Sequence, residues 1–166
     1  MTGAAASLAA APSFAQAPSA PTLVAARAVL AKFLADANHD RRLLMGTLRP
    51  TAADYRLVWR EPFATRLDAA HAPLWARGET FEPKPDQTEL DVVLVLSDEL
   101  IDRQPVLAQF PGGYARIVEH LARGIPIARF RFHRPGATAG LAGDGLVHVG
   151  GRWVLMPKPW RALDDR

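Results

Sequence analysis

The segment Gly143–Trp160 reads GDGLVHVGGRWVLMPKPW and decides the fold expected for this chain. Two apolar-rich runs flank the pair Gly150-Gly151, and Pro157 and Pro159 follow the second run. A two-residue type I′ turn requires positive φ at both central positions, which glycine adopts without a clash because it has no Cβ. The segment therefore predicts a tight β-hairpin.

The two-residue turn also sets which residues face each other across the hairpin. It places His148 opposite Trp153 and Val147 opposite Val154, because cross-strand partners are counted outward from the turn. A tryptophan on such a face is expected to be substantially buried. The residues predicted to share one face are Leu146, His148, Trp153 and Leu155.

Length and composition indicate one globular domain. The chain has 166 residues, 49% of them apolar and 22% charged, which suits a domain with a buried core. The net charge of +3 is small, and the basic residues form no stripe interleaved with aromatic ones, so nucleic-acid binding is not expected. The absence of cysteine excludes disulfides and thiolate chemistry. No run reaches the roughly 20 apolar residues of a membrane span.

Residues 3–21, GAAASLAAAPSFAQAPSAP, are rich in Ala, Ser and Pro and show no period that would bury one face. Ala15-Gln16-Ala17 resembles the A-x-A cleavage site of a secretory signal peptide. Residues 1–21 are therefore expected to be a disordered segment or a signal-peptide remnant, and residues 22–166 a single domain. A signal peptide implies a periplasmic or secreted protein, and a plain linker leaves a cytoplasmic protein as the alternative.

Three helix starts precede the first predicted strand. Thr22 and Thr51 are expected N-caps, and Asp54 follows the second at a position where the helix dipole favours an acidic residue. Pro62 suits the first turn of a third helix because its missing N–H would be unpaired there. The polar residues 38–42 are predicted to end the first helix. The apolar positions at helical spacing are Leu23, Ala26, Leu30, Phe33 and Leu34, then Tyr55, Val58 and Trp59, then Phe63, Leu67, Ala70, Leu74 and Trp75.

The second half of the chain predicts strands around one short helix. Leu90–Leu96 is apolar at nearly every position, which predicts a central strand covered on both faces. Gly113–Leu121 is expected to be the short helix, after a helical turn at Asp98–Ile101. Pro126–His133 alternates between apolar and polar residues, as a half-buried strand does. The expected fold is α+β, with N-terminal helices packed on a curved, mainly antiparallel sheet.

The short helix Gly113–Leu121 and the strands Pro126–Arg134 and Leu146–Met156 resemble those of the nuclear-transport-factor-2-like (SnoaL-like) superfamily. That resemblance implies a cone in which N-terminal helices close over the sheet. It also implies ligand binding, or an isomerase, cyclase or dehydratase reaction that uses a His–Asp pair. The segments similar to an uncharacterised bacterial protein family, a similarity that implies no function, are Leu48–Tyr55, Phe110–Tyr114 and Gly145–Val154.

Two groups of side chains are candidate ligand sites. Arg129, Arg131 and His133 alternate along one strand face. If that face lines the concave side of a cone, the three groups would meet a carboxylate or phosphate, which the planar arginine fork pairs in a bidentate manner. The alternative for these residues is an ordinary solvent-exposed strand face.

The other candidate is an apolar pocket around His148, with Tyr114 at its rim. Asp91 or Asp54 would then orient His148 as a general base, because an imidazole needs a partner on its other nitrogen. The alternative for His148 is a histidine of the core. The pocket walls would be Phe130, Phe132, Trp153 and Leu155.

No motif indicates a metal or a cofactor. The histidines, at positions 39, 71, 120, 133 and 148, form none of the spacings typical of zinc sites. No serine lies in a G-x-S-x-G motif. Gly112-Gly113 lacks the residues that complete a P-loop or a dinucleotide fingerprint.

Three functions from different classes stay open. They are a binding module for a small apolar or anionic molecule, a protein-interaction or structural accessory domain, and an enzyme with a His–Asp pair. A homodimer is compatible with each of them.

Replacing Gly150-Gly151 by Val-Val is expected to lower the melting temperature of the protein. Both turn positions need positive φ, which β-branched residues resist. Thermal unfolding followed by circular dichroism measures the effect, and an unchanged melting temperature would rule out the type I′ turn.

Overall fold

In residues 21–164, which the computed structural model describes, helices precede a four-stranded antiparallel sheet. The predicted α+β class is therefore confirmed. The segment or signal remnant expected over residues 1–21 lies outside the described residues, apart from Pro21. The helices are α1 (Leu23–Ala31), α2 (Arg41–Thr47), α3 (Ala52–Val58), α4 (Phe63–Arg77) and α5 (Ser97–Ile101). The strands are β1 (Glu89–Leu96), β2 (Pro126–His133), β3 (Gly140–Val149) and β4 (Arg152–Leu155).

The N-terminal helices begin at side chains that accept backbone hydrogen bonds. Thr22 Oγ1 accepts from the N–H of Ala25, and Thr51 and Asp54 form a reciprocal capping box, as predicted. Helix α2 was not predicted. Its N-cap is Asp40, which accepts two N–H groups of the first turn. The prediction that the polar residues 38–42 end the first helix is wrong, because α1 already ends at Ala31 and these residues start α2.

The helix expected over Gly113–Leu121 is instead two 3₁₀ segments, Gly112–Arg116 and Val118–His120. Ile117 lies between them with φ −122°, outside the helical range, and this interrupts the helix. The apolar residues of the expected helix, Ile117, Val118 and Leu121, are nevertheless buried, as predicted. The remaining 3₁₀ segments are Pro105–Gln109 and Pro159–Leu163.

The C-terminal hairpin has the predicted register. His148 faces Trp153 and Val147 faces Val154 across the β3–β4 pair. Gly150 and Gly151 have φ of 59° and 77°, as a type I′ turn requires.

The strand order is β1-β2-β3-β4, so β1 is an edge strand and the prediction of a central strand is wrong. Leu90 and Val95 are buried in apolar clusters on opposite faces of the sheet. A run that is apolar on both faces therefore indicates cover above and below the sheet. It carries no information about neighbours within the sheet.

Both faces of the sheet carry a buried apolar cluster, and the cone of the nuclear-transport-factor-2-like fold is not confirmed. The α1–α2 cluster consists of Ala26, Leu30, Phe33, Met45, Leu48, Leu90, Ala128, Phe130, Phe132, Leu146 and Leu155. The α3–α4 cluster, on the other face, includes Tyr55, Val58, Trp59, Phe63, Ala64, Leu67, Val95, Tyr114, Ile117, Leu121, Ile127, Val147, Val154, Met156 and Ala162.

One glycine of β3 is an extra residue in the pairing with β2. Ala128 faces Leu146 and Arg129 faces Asp144, so Gly145 forms a β-bulge. Its φ is +75°, and a Cβ at this position would lie 2.1 Å from the carbonyl oxygen of Met156. The bulge turns Asp144 onto the face that carries the α3–α4 cluster.

Gly145→Ala is expected to lower the free energy of unfolding by at least about 2 kcal/mol, because a positive φ alone costs a non-glycine residue roughly 1–2 kcal/mol and a backbone clash is added. Gly136→Ala is the matched control. Gly136 has φ +71° with nothing within 4 Å of a Cβ, so only the cost of φ applies. Urea unfolding measures both variants, and equal losses would contradict the close contact with Met156.

Candidate functional site

Strand β4 is too short to pair with the full length of β3. It has four residues and pairs with Leu146–Val149, whereas β3 has ten residues. The chain leaves the sheet after Met156, whose N–H donates to the carbonyl of Gly145 at 2.8 Å. In the described part of the chain, residues 140–144 of β3 therefore have no backbone hydrogen-bond partner other than β2.

Helix α4 passes from one apolar cluster to the other. Phe63 and Leu67 belong to the α3–α4 cluster, whereas Leu74 and Trp75 pack against the α1–α2 cluster. The helix is thus associated with both faces of the sheet. Its second half and the free edge of β3 line one cavity.

The cavity has a volume of about 480 Å³, within the range of small-molecule sites. Its walls are the second half of α4, residues 79–81, residues 141–144 of β3 and the segment 157–162. The apolar lining includes Met45, Leu74, Phe81 and Leu141, and the charged lining consists of Arg77, Glu79, Asp144, Lys158 and Arg161.

The charges of the lining are only partly paired with each other. Arg77 and Glu79 form an ion pair at 2.6 Å. Within residues 21–164, Asp144, Lys158 and Arg161 form no ion pair within 4 Å. The cavity therefore combines a buried carboxylate with two exposed cations that are not in ion-pair contact with it, beside apolar side chains.

Asp144 is the buried charged group of this site, with 3% of its surface exposed. Its Oδ1 accepts the hydroxyl of Tyr114 at 3.1 Å and the backbone N–H of Lys158 at 2.9 Å. Burial raises the pKa of Asp144 from 3.8 to about 6, although both hydrogen bonds favour the ionised form. Its Oδ2 receives no hydrogen bond from the described residues, so this oxygen is free for a ligand.

Two neighbours hold Asp144 in place. Tyr114 is fully buried, and burial beside a carboxylate raises the pKa of its hydroxyl well above 10, so the hydroxyl stays a donor. Lys158 lies between two prolines with φ 50° and ψ 49°, a left-handed conformation that is costly for a non-glycine residue. This conformation directs the Lys158 N–H at Asp144.

His71 lines the same cavity but has both ring nitrogens engaged. Tyr55 donates its hydroxyl to Nδ1 at 2.8 Å, and Nε2 donates to the carbonyl of Pro157 at 2.8 Å. Burial lowers the pKa of His71 to about 4, so the ring is neutral near pH 7. His71 therefore connects α4 to the segment after β4 and has no nitrogen left for a ligand.

The cluster predicted on β2 does share one face, but its members have separate local partners. Arg129 donates to Gln109 Oε1 at 3.2 Å, and Arg131 donates to the carbonyl of Thr138. His133 is buried, and its Nε2 lies 3.3 Å from Asp91 Oδ2, within ion-pair distance but not aligned as a hydrogen bond. The three side chains lie outside the lining of the cavity.

The four predicted walls of the pocket around His148 lie together in the α1–α2 cluster, but its other expected members do not join them. His148 contacts Trp153 edge-on at 5.0 Å between ring centroids, and Trp153 is only partly buried, along a groove of about 280 Å³. Tyr114 belongs to the α3–α4 cluster, on the opposite face of the sheet from Trp153. Neither Asp54 nor Asp91 orients His148, because Asp54 pairs with Arg152 and Asp91 with His133.

Sequence reasoning singled out Tyr114 but missed Asp144, Lys158 and Arg161. The signal for Asp144 was an acidic residue between two glycines at the start of the predicted hairpin segment, a pattern that fits a bulge with a buried polar group. The sequence feature that could have pointed to Lys158 was its position between two prolines, Pro157 and Pro159.

In residues 21–164, no three metal-ligating side chains come together. None of the helices in this range has the length and apolar character that a membrane crossing requires. No family model, curated protein or solved structure matches this chain. The two family resemblances therefore stay predictions.

Asp144→Asn and His71→Gln are expected to change the pH dependence of stability in opposite directions. The folded state raises the pKa of Asp144, so that carboxyl costs stability as pH rises from about 4 to 6. The folded state lowers the pKa of His71, so the histidine costs stability as pH falls from 6.5 to about 4. Relative to the natural protein, Asp144→Asn should gain stability with rising pH and His71→Gln with falling pH.

Each change should be on the order of 3 kcal/mol, because a difference of one in pKa corresponds to about 1.4 kcal/mol. Urea unfolding between pH 4 and 7 measures both. Variant curves that run parallel to that of the natural protein would contradict the burial of these two groups.

Proposed function

We propose that this protein is a binding module for a small amphipathic anion, and that the cavity at the free edge of β3 is its site. The observation that carries the proposal is the presence of Lys158 and Arg161, without ion-pair partners in the described residues, in the lining of a cavity with an apolar wall. A carboxylate or phosphate would pair with these cations. The body of the ligand would lie against Leu74, Phe81 and Leu141.

Among the described residues, neither histidine considered for this function is available as an acid or base in an oriented pair. The histidine of the cavity, His71, has both nitrogens engaged and is neutral. The predicted His–Asp pair at His148 is not formed, because the carboxylates of Asp54 and Asp91 lie against other partners. The strand-face cluster of Arg129, Arg131 and His133 is the weaker anion site, since each member already has a local partner.

The remaining predictions are compatible with this function. Export directed by Ala15-Gln16-Ala17 would place a binding module in the periplasm, where small ligands are captured outside the cytoplasm. A protein-interaction role and a homodimer stay predictions, and neither conflicts with a ligand site at the edge of β3.

Titration calorimetry with 3-phenylpropanoate, and with 3-phenylpropanol as its neutral counterpart, tests the proposal. The carboxylate is expected to bind saturably, and the alcohol at least tenfold more weakly, because the alcohol leaves the cations unpaired. Arg161→Ala and Lys158→Gly should each weaken carboxylate binding by about tenfold. Glycine is chosen at position 158 because it keeps the N–H to Asp144 and tolerates the left-handed backbone.

Arg131→Ala is the matched control, since it removes a guanidinium of the strand-face cluster outside the cavity. Unchanged affinity in this variant is expected. If Arg131→Ala abolishes binding while Arg161→Ala does not, the strand face is the site and the cavity is not.

A further inference from the structure

The buried carboxylate of Asp144 adds a requirement that a simple anion does not meet. Its Oδ2 has no donor among the described residues, and neither Lys158 nor Arg161 pairs with it, although both line the same cavity. Oδ2 is therefore the carboxylate oxygen left for a ligand, and a second anion placed beside it would add repulsion. The ligand should therefore bring a donor to Asp144 as well as an anion to the cations.

We propose that the cavity binds a free α-amino acid with an apolar side chain. In this arrangement, which rests on the proposed function, the ammonium group donates to Asp144 Oδ2 and the carboxylate pairs with Lys158 and Arg161. The side chain lies against Leu74, Phe81 and Leu141. One molecule then contacts the carboxylate, the two cations and the apolar side chains of the cavity.

The backbone joins the buried carboxylate to the residue that carries one of the two cations. Asp144 accepts the N–H of Lys158 at 2.9 Å, so the residue that carries a cation is tied directly to the buried carboxylate. An α-amino acid carries its ammonium and its carboxylate on the same carbon atom. The bulge at Gly145 and the hydroxyl of Tyr114 hold the carboxylate in this position, so little ordering is needed on binding.

Other ligand classes leave part of this site unsatisfied. A monocarboxylate leaves Asp144 Oδ2 without a donor, and an amine leaves Lys158 and Arg161 without an anion. A divalent cation would need more ligands than this one carboxylate, and no group of three ligating side chains exists among residues 21–164. The free backbone edge of residues 141–143 offers further polar groups to an amino acid.

Titration calorimetry at pH 7.5 with four related compounds tests the inference. They are L-phenylalanine, N-acetyl-L-phenylalanine, L-phenylalaninamide and 3-phenylpropanoate. L-phenylalanine is expected to bind at least tenfold more tightly than each of the others, because every other compound lacks one of the two charges. L-leucine should also bind saturably, because it carries the same two charges and its apolar side chain can lie against the same wall.

Asp144→Asn separates the role of the carboxylate from that of the fold. Asparagine keeps an acceptor for Tyr114 and Lys158, and circular dichroism checks that the variant is folded. The variant should lose at least tenfold in affinity for L-phenylalanine and lose none for 3-phenylpropanoate. Arg131→Ala again serves as the control and should bind both compounds as the natural protein does.

The outcomes distinguish this inference from the proposed function. If 3-phenylpropanoate binds as tightly as L-phenylalanine, and Asp144→Asn changes neither, the amino-acid assignment is overturned while the anion site stands. Tight binding of 3-phenyllactate would equally overturn it, because a hydroxyl would then suffice at Asp144. Absence of binding by all of these compounds to the folded natural protein would overturn both.

Discussion

The unequal lengths of β3 and β4 are the constraint on which the rest of this structure depends. A four-residue strand beside a ten-residue one leaves the backbone of residues 140–144 without a strand partner on the side away from β2. Pro157 and Pro159 prevent β4 from continuing, because proline has no N–H to add to a ladder. The chain instead crosses to α4, and the cavity lies between these elements. A longer β4 would fill the space that the cavity occupies.

The cavity combines features that each cost stability. Asp144 is a buried carboxylate, Lys158 has a left-handed backbone, and Gly145 is a bulge that no other residue fits without a clash. These costs occur together because the Lys158 N–H donates to Asp144 and Gly145 follows Asp144 directly in the chain. Such strain persists where the surroundings over-determine it, and it is common at ligand sites. The two large apolar clusters supply the stability that permits it.

The two faces of β2 show why alternation along a strand does not define a site. Phe130 and Phe132 enter the α1–α2 cluster, as their alternation predicts. Arg129, Arg131 and His133 share the other face, yet Gln109, the carbonyl of Thr138 and Asp91 each engage one of them. The partners come from a 3₁₀ segment, a loop and a neighbouring strand, and only the folded chain brings them there.

The sequence by itself determined those local elements of this protein that depend on short-range signals. The capping pair Thr51 and Asp54, the Gly150-Gly151 turn and the alternation of Pro126–His133 depend on residues within about one turn or one hairpin, where backbone sterics act directly. The α+β order followed from them. Strand neighbours, the edge position of β1 and the meeting of Asp144 with Tyr114 and Lys158 depend on contacts between distant segments. Periodicity reports which face is buried but not what lies against it, so only the tertiary structure decided the site.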